Sequence, residues 1–298
     1  MDELITVSPV DGHEIVRRRR ADARQAAQLA HAARQAQRDW AALALHERTT
    51  LLGAAIDRVV ADAGTIAADI TRQMGRPIGH SPGELRGFAE RGRHMLAVAA
   101  EALAGIELPA KPGFVRSIER EPVGVVLTVA PWNYPLLTAV NSIVPALAAG
   151  NAVILKHSEQ TPLCAEQLVA AFAAAGLAAG VFQYLHASHD TIGQLIADGA
   201  VDYVAFTGSV HGGAAIEAAA AGRFIGRGLE LGGNDPAYVR ADADLQHAAE
   251  TLVDGAFYNA GQSCCGIQRI YVHDSLYKEF VERTVALFDE GNTLPFIA

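Results

Sequence analysis

Apolar positions between residues 21 and 103 recur at three- and four-residue intervals, as in Leu52, Ile56, Val59 and Val60, then Ile66 and Ile70. That spacing places them on one face of an α-helix, so this Ala-rich segment is predicted to form several amphipathic helices. Residues 114–121 instead alternate between apolar and polar, which predicts a half-exposed strand ended by Pro122. From Val123 the texture changes. Short apolar runs at Val125–Val129, Ala152–Leu155, Val181–Leu185 and Tyr203–Phe206 predict strands. Helical stretches lie between them, around Leu137–Ala148, Pro162–Ala175 and Thr191–Ile196. This alternation predicts a doubly wound α/β sheet, which binds its ligand beyond the carboxyl ends of the strands. A further helix is expected over Asp242–Asn259, then a Gly-containing loop and a strand over Ile267–Val272.

Composition narrows the class. Half of the 298 residues are hydrophobic, which excludes a disordered chain. A net charge of −9 argues against nucleic acid or an anionic membrane as the main partner. The one basic block, Arg17–Arg20, is shorter than an interaction tail and reads as a solvated strand or turn. The uncharged stretch Pro135–Leu155 is broken by Asn141, Ser142, Pro145, Gly150 and Asn151, so it reads as buried soluble elements and not as a membrane span. Three cysteines, two of them adjacent, make no disulfide framework. With a start that lacks a secretory pattern, they predict a reducing, cytoplasmic setting.

Five local patterns carry candidate chemistry, and each has a plainer reading beside it. Cys264 and Cys265 lie in a loop of small residues between a helix and a strand, where a thiol is open to substrate and nearby backbone N–H groups can lower its pKa; the plain alternative is a pair of buried structural cysteines. Glu230 stands between Leu229 and Leu231, where burial would raise its pKa toward general-base work; the alternative is an exposed glutamate at a strand end. Asn133, between Trp132 and Tyr134 and flanked by Pro131 and Pro135, can aim its amide at a developing oxyanion or can form an Asx turn. Gly208, Ser209, Gly212 and Gly213 join a strand to a helix whose first N–H groups can hold a pyrophosphate, or they make an ordinary turn. Lys156, Ser158 and Glu159 end a strand where Lys and Glu can hydrogen-bond ribose hydroxyls, or where they form a surface ion pair. No metal site is assigned.

The order and spacing of these patterns go beyond any one of them. Pro131-Trp-Asn-Tyr-Pro135, Pro145-Ala-Leu-Ala-Ala-Gly-Asn151, Lys156-His-Ser-Glu-Gln-Thr-Pro162, Phe206-Thr-Gly-Ser209, Glu230-Leu-Gly-Gly233 and Gly261-Gln-Ser-Cys264 form a series that resembles the motifs of the aldehyde dehydrogenase superfamily, from the N-terminal helices to about Leu287. The resemblance implies a doubly wound cofactor domain with its N-terminal helices over residues 1–229, and a partial second α/β catalytic domain over 230–298. It implies that Cys264 is the nucleophile, Glu230 the base, and Asn133 an oxyanion donor alongside the Cys264 backbone N–H. Lys156, Ser158 and Glu159 would hold the adenosine ribose, and Gly208, Ser209, Gly212 and Gly213 would face the pyrophosphate. Val129, Ala130, Pro131, Trp132 and Leu231 would line the cofactor cleft. Cys164 and Cys265 match no role and are expected in the core. The implied cofactor is NAD, with NADP possible through Lys156, and the implied substrate is a small-molecule aldehyde.

The chain departs from the family pattern at Asn234 and Ser142, where many members carry Lys. It also lacks the family's later Glu-x-Phe-Gly-Pro stretch, and its tail, Phe288–Ala298, stops resembling the family. On that ground the chain is expected to be a truncated member with weak nucleotide binding and poor turnover. The homo-oligomer of the intact family is not expected of so short a chain. The competing readings are a non-catalytic nucleotide-binding remnant and a thiol esterase that uses the same three residues without a cofactor.

Overall fold

The structure is a computed structural model and describes residues 2–289. The tail expected to diverge, Phe288–Ala298, lies outside the described residues from position 290 onward. The chain opens with an antiparallel hairpin of β1 (Glu3–Val7) and β2 (Glu14–Arg19). Four helices follow: α1 (Ala23–Ala42), α2 (Leu45–Ala61), α3 (Ala63–Met74) and α4 (Pro82–Ala102). The first is fixed at its start by a reciprocal cap, in which the Asp22 carboxylate accepts from the Gln25 N–H and the Gln25 side chain accepts from the Asp22 N–H.

The predicted strand over 114–121 shrinks to a two-residue β4 (Ser117–Ile118) paired with β3 (Ile106–Glu107). The reason is that residues 104–121 are exposed throughout, so the alternation has no core on which to lay its apolar side. The basic block is a largely solvated strand, as expected, and its arginines are paired. Arg17 pairs with Glu3 and Glu14, Arg18 with Glu166, and Arg20 with Asp2 and Glu159.

The centre is a five-stranded parallel sheet. Its elements are β5 (Val125–Ala130), α5 (Val140–Ala148), β6 (Ala152–His157), α6 (Pro162–Ala174), β7 (Phe182–Tyr184), α7 (His189–Ala197), β8 (Tyr203–Thr207), α8 (Val210–Ala220) and β9 (Gly226–Glu230). The strand order is β7-β6-β5-β8-β9, all parallel. The chain builds outward from β5 through β6 and β7, then returns to β5's other side, so a crevice opens at the carboxyl end of β5 where the order reverses. The central strands are apolar along nearly their whole length because both faces are covered. Val126, Ala130, Val153 and Leu155 face a core shared with α2, α4, α5 and α6. Val125, Leu127, Ala152 and Ile154 face a second core shared with α1, α7 and α8.

Beyond Glu230 a small parallel pair forms from β10 (Asp235–Val239) and β11 (Ile267–Val272). It packs with α9 (Leu245–Phe257) and α10 (Asp274–Asp289) around Val239, Leu245, Ala249 and Phe280. The helix predicted over 242–259 is shorter at both ends. Asp244 caps its start by accepting from the His247 N–H. A tight turn, Tyr258–Gly261, ends it with Asn259, Ala260 and Gly261 in the left-handed region at φ 52°, 57° and 71°. Among the described residues no helix is long and apolar enough to cross a membrane.

Candidate active site

Two clefts meet at Cys264. The first, of about 600 Å³, lies over the carboxyl ends of β5, β6 and β8. Val129, Ala130, Pro131, Trp132 and Asn133 line it from β5 and the loop after it. Lys156, Ser158 and Glu159 line it from the end of β6, and Gly208, Ser209, Leu231 and Cys264 close the other side. The second cleft, of about 530 Å³, holds Glu230 and again Cys264 on its wall, with Cys265, Tyr258 and Arg91. The fold thus brings residues as far apart in the chain as Val129 and Cys264 to one place. Gly212 and Gly213 sit just behind the wall, in the first turn of α8. The Ser209 hydroxyl accepts from the Gly212 N–H at 3.0 Å, so one N–H expected to face a ligand already has a partner.

The thiols differ from expectation. Cys265 is exposed and not in the core. Its sulfur lies 3.0 Å from the Tyr258 hydroxyl and 3.3 Å from that of Ser263. Hydrogen bonds from Ser263 and then Tyr258 hold its pKa below the ordinary thiol value. Cys264 is also exposed, but partial burial and then the neighbouring Cys265 push its pKa up. The backbone N–H groups of Cys264 and Cys265 act in the expected direction but do not outweigh those effects. Cys164 is buried in α6 as expected, and desolvation raises its pKa far above the usual range.

Glu230 does not have the burial expected of it. It is exposed, because β9 is the edge strand of the large sheet and the following β10 pairs in a different sheet. The Asn133 amide donates to the Gln262 carbonyl at 3.0 Å, two residues before Cys264, and its Oδ1 accepts from the N–H of the adjacent Tyr134 rather than from the residue two further on that an Asx turn uses.

A buried arginine ties these loops together, and nothing in the motif series pointed to it. Arg76 is 3% exposed. Its Nε donates to Asn259 Oδ1 at 2.8 Å, its Nη2 donates to the Asn133 carbonyl at 3.0 Å, and its Nη1 pairs with Glu84 at 2.8 Å. Glu84 Oε2 in turn accepts from the N–H groups of Leu136 and Leu137. The Arg76 guanidinium also lies 4.6 Å from the Tyr134 ring centroid, within cation–π range. Asn259 donates to both Asn133 O and Gln262 O. One network therefore holds the loop after β5 against the loop that carries the thiol. A sequence signal was available in retrospect, since Arg76 follows Gly75, the left-handed cap that ends α3. Gly233 adds a steric tie: a Cβ there would lie 1.9 Å from the Cys264 carbonyl oxygen, so only glycine lets the two segments approach so closely.

The ribose-binding expectation at Glu159 is also altered. Its carboxylate is gripped on both oxygens by Arg20, at 3.1 and 2.8 Å. Lys156 is 4% exposed and makes no hydrogen bond or ion pair among the described residues. Its stem is covered while it lines the open cleft, where the charge of Glu159 is felt. Its place on the cleft wall suits a ligand that brings acceptor oxygens, so the donor set fits a dinucleotide laid along this cleft.

A family model described as "Aldehyde dehydrogenase family" matches residues 2–293, which carries the likeness beyond Leu287. The chain is 33% identical over 297 residues to 3,6-anhydro-alpha-L-galactose dehydrogenase of Streptomyces coelicolor, covering 99% of this chain and 60% of that protein. It is 36% identical over 295 residues to vanillin dehydrogenase of Amycolatopsis sp., covering 98% and 60%. Among solved structures it superposes on the NADP-dependent glyceraldehyde-3-phosphate dehydrogenase of Bacillus halodurans complexed with NADP, with a TM-score of 0.90 and 32% identity, covering 97% of this chain and 62% of that one. The chain spans about 60% of the length of these curated relatives. Sequence, fold and the match over residues 2–293 agree: this chain belongs to the aldehyde dehydrogenase family.

Proposed function

We propose that the chain oxidises an aldehyde to a carboxylic acid with NAD(P)⁺ through a thioester on Cys264. The observation that carries the reading is that Cys264 lines both clefts, whereas Cys265 lines only the second. A thiol at that junction can meet substrate from one side and cofactor from the other.

Each step draws on groups of this chain. The Cys264 thiolate adds to the aldehyde carbonyl. The Asn133 amide carries two N–H donors, of which one goes to Gln262, and the other serves the oxyanion together with the Cys264 backbone N–H. Bound NAD(P)⁺ supplies the hydride acceptor. Glu230 shares the second cleft with Cys264 and, as a general base, activates the water that releases the acid from the thioester. Lys156, Ser158 and Glu159 receive the adenosine end, and Val129 to Trp132 with Gly208, Ser209 and Leu231 form the cleft walls. The division follows: residues 1–229 bind the cofactor, and residues 230–298 carry the thiol. Three cysteines without a disulfide suit a cytoplasmic setting.

The test is to follow formation of reduced cofactor across a panel of aldehydes with the unaltered chain, Cys264→Ala and Glu230→Gln. Loss of turnover in the first variant, and intact-mass detection of an acyl adduct in the second, are the expected results. Turnover that survives Cys264→Ala refutes the reading.

A further inference from the structure

The end of the first cleft farthest from Cys264 holds a charge arrangement that the dinucleotide reading does not use. A dinucleotide that puts its reacting ring at Cys264 lays its adenosine end against Lys156, Glu159 and His189, all on the cleft wall. A free carboxylate there would accept hydrogen bonds from ribose hydroxyls and repel a phosphate. Glu159 is not free. Arg20, reaching over from the hairpin, grips both of its oxygens, and Arg20's remaining nitrogen pairs with the exposed Asp2. Glu159 keeps only a 37% exposed side chain. Lys156, beside it, is buried and faces the cleft without a hydrogen bond or ion pair among the described residues. The local balance is thus a neutralised carboxylate next to an ammonium with no direct partner.

Neutral hydroxyls offer Lys156 acceptors but bring no counter-charge to the cleft wall. A phosphate monoester supplies the missing charge and acceptor oxygens, and charge-assisted hydrogen bonds to it are the stronger kind. Burial, the largest influence on Lys156, pushes its pKa down. The charge of Glu159 opposes that and Arg20 adds to it, and the net shift is downward, so an anion has stabilisation to regain there.

We propose that Arg20 is a specificity-determining residue: by holding Glu159 it leaves Lys156 to receive a phosphate on the ribose 2′-oxygen, so the chain takes NADP at least as readily as NAD. The inference rests on the dinucleotide reading above. It concerns the adenosine end alone, so it is tested with half-cofactors that do not reach the thiol.

The experiment is calorimetric titration of the unaltered chain with AMP and with adenosine 2′,5′-bisphosphate, then with NAD and NADP. The 2′-phosphate is expected to tighten binding by about tenfold, which corresponds to one charge-assisted hydrogen bond. Arg20→Gln, which frees the Glu159 carboxylate, is expected to abolish or reverse that preference. Arg20→Gln/Glu159→Gln, which removes both charges of the pair, is expected to restore it through Lys156. A tenfold preference of the unaltered chain for AMP overturns the proposal, as does a 2′-phosphate preference unchanged by Arg20→Gln. If the unaltered chain binds none of the four nucleotides, the dinucleotide reading itself fails and this inference goes with it. If it binds them without regard to Arg20, only the inference fails.

Discussion

Replacing Arg76 by Met is expected to be among the most damaging single changes in the molecule, and the reason lies in Glu84. That carboxylate is 0% exposed and faces Arg76 at 2.8 Å. Burial raises its pKa, opposed first by the charge of Arg76 and then by the Leu137 N–H. Met fills much of the arginine's volume but removes the counter-charge, and breaking a buried pair from one side costs about 3–5 kcal/mol. Against a typical total of about 5–15 kcal/mol, that is a third or more of the stability. The sign with pH follows. Without Arg76 the folded-state pKa of Glu84 rises further above its unfolded value, so the fold favours the protonated acid. Stability is then retained at low pH and lost as pH rises through the new folded value. Urea denaturation of the wild type, Arg76→Met, Glu84→Gln and the double variant, each at several pH values, measures the coupling. The double variant is expected to recover part of the loss, because the amide introduced by Glu84→Gln still offers an acceptor to Leu136 and Leu137 without a charge. A loss below about 1 kcal/mol for Arg76→Met, or a double variant no more stable than that single one, would refute the reasoning.

Three further outcomes are expected. His157 is fully buried with its Nε2 donating to the Pro135 carbonyl, and burial holds its pKa down to about 4; its contribution is present above the unfolded value of 6.5 and is lost as pH falls from there through about 4, which is about 3 kcal/mol at 1.36 kcal/mol per pH unit. Stability curves over that window, with a flatter slope in His157→Gln, check it. Gly233→Ala drives a Cβ into the Cys264 carbonyl, while a Cβ added at Gly232 would meet nothing within 4 Å, so thermal melting should separate a damaging change from a tolerated one at adjacent sites. Limited alkylation followed by peptide mapping is expected to mark Cys265 ahead of Cys264 in the ligand-free chain and Cys164 last; a strong early mark on Cys164 would contradict its burial.

The core strands were legible because covered parallel strands need nearly continuous apolar runs, and Val125–Val129, broken only by Thr128, and Ala152–Leu155 supply them. The cleft was legible for a related reason: in a doubly wound sheet the residues just past the strand ends converge, wherever they lie in the chain. Alternation alone misled at 114–121, since a period-2 pattern needs a surface to bury against, and that is a tertiary fact. The state of individual groups was hidden for the same reason. Whether Glu230 is covered depends on which strand follows β9 in space. Whether Glu159 is free depends on Arg20, 139 residues earlier. The pKa order of two adjacent thiols depends on Tyr258 and Ser263 beside Cys265 as well as on the burial of Cys264 and the contact between the two.

The left-handed turn at Asn259–Gly261 bears on the order of events in time. Two consecutive non-glycine residues there carry positive φ, at about 1–2 kcal/mol each relative to the ordinary helical region. Locally the turn has the bonds between Asn259 and Gln262, at 3.1–3.2 Å. The other bonds of Asn259 reach Arg76 and Asn133, 183 and 126 residues away. The turn is therefore expected to close only once those distant segments have docked, and to be among the earliest places to reopen. Hydrogen exchange would then find residues 259–266 exchanging through a local opening while β5 and β6 stay protected. The thiol loop would belong to the low-stability end of the molecule, and its geometry would form late, after the sheet that supports it.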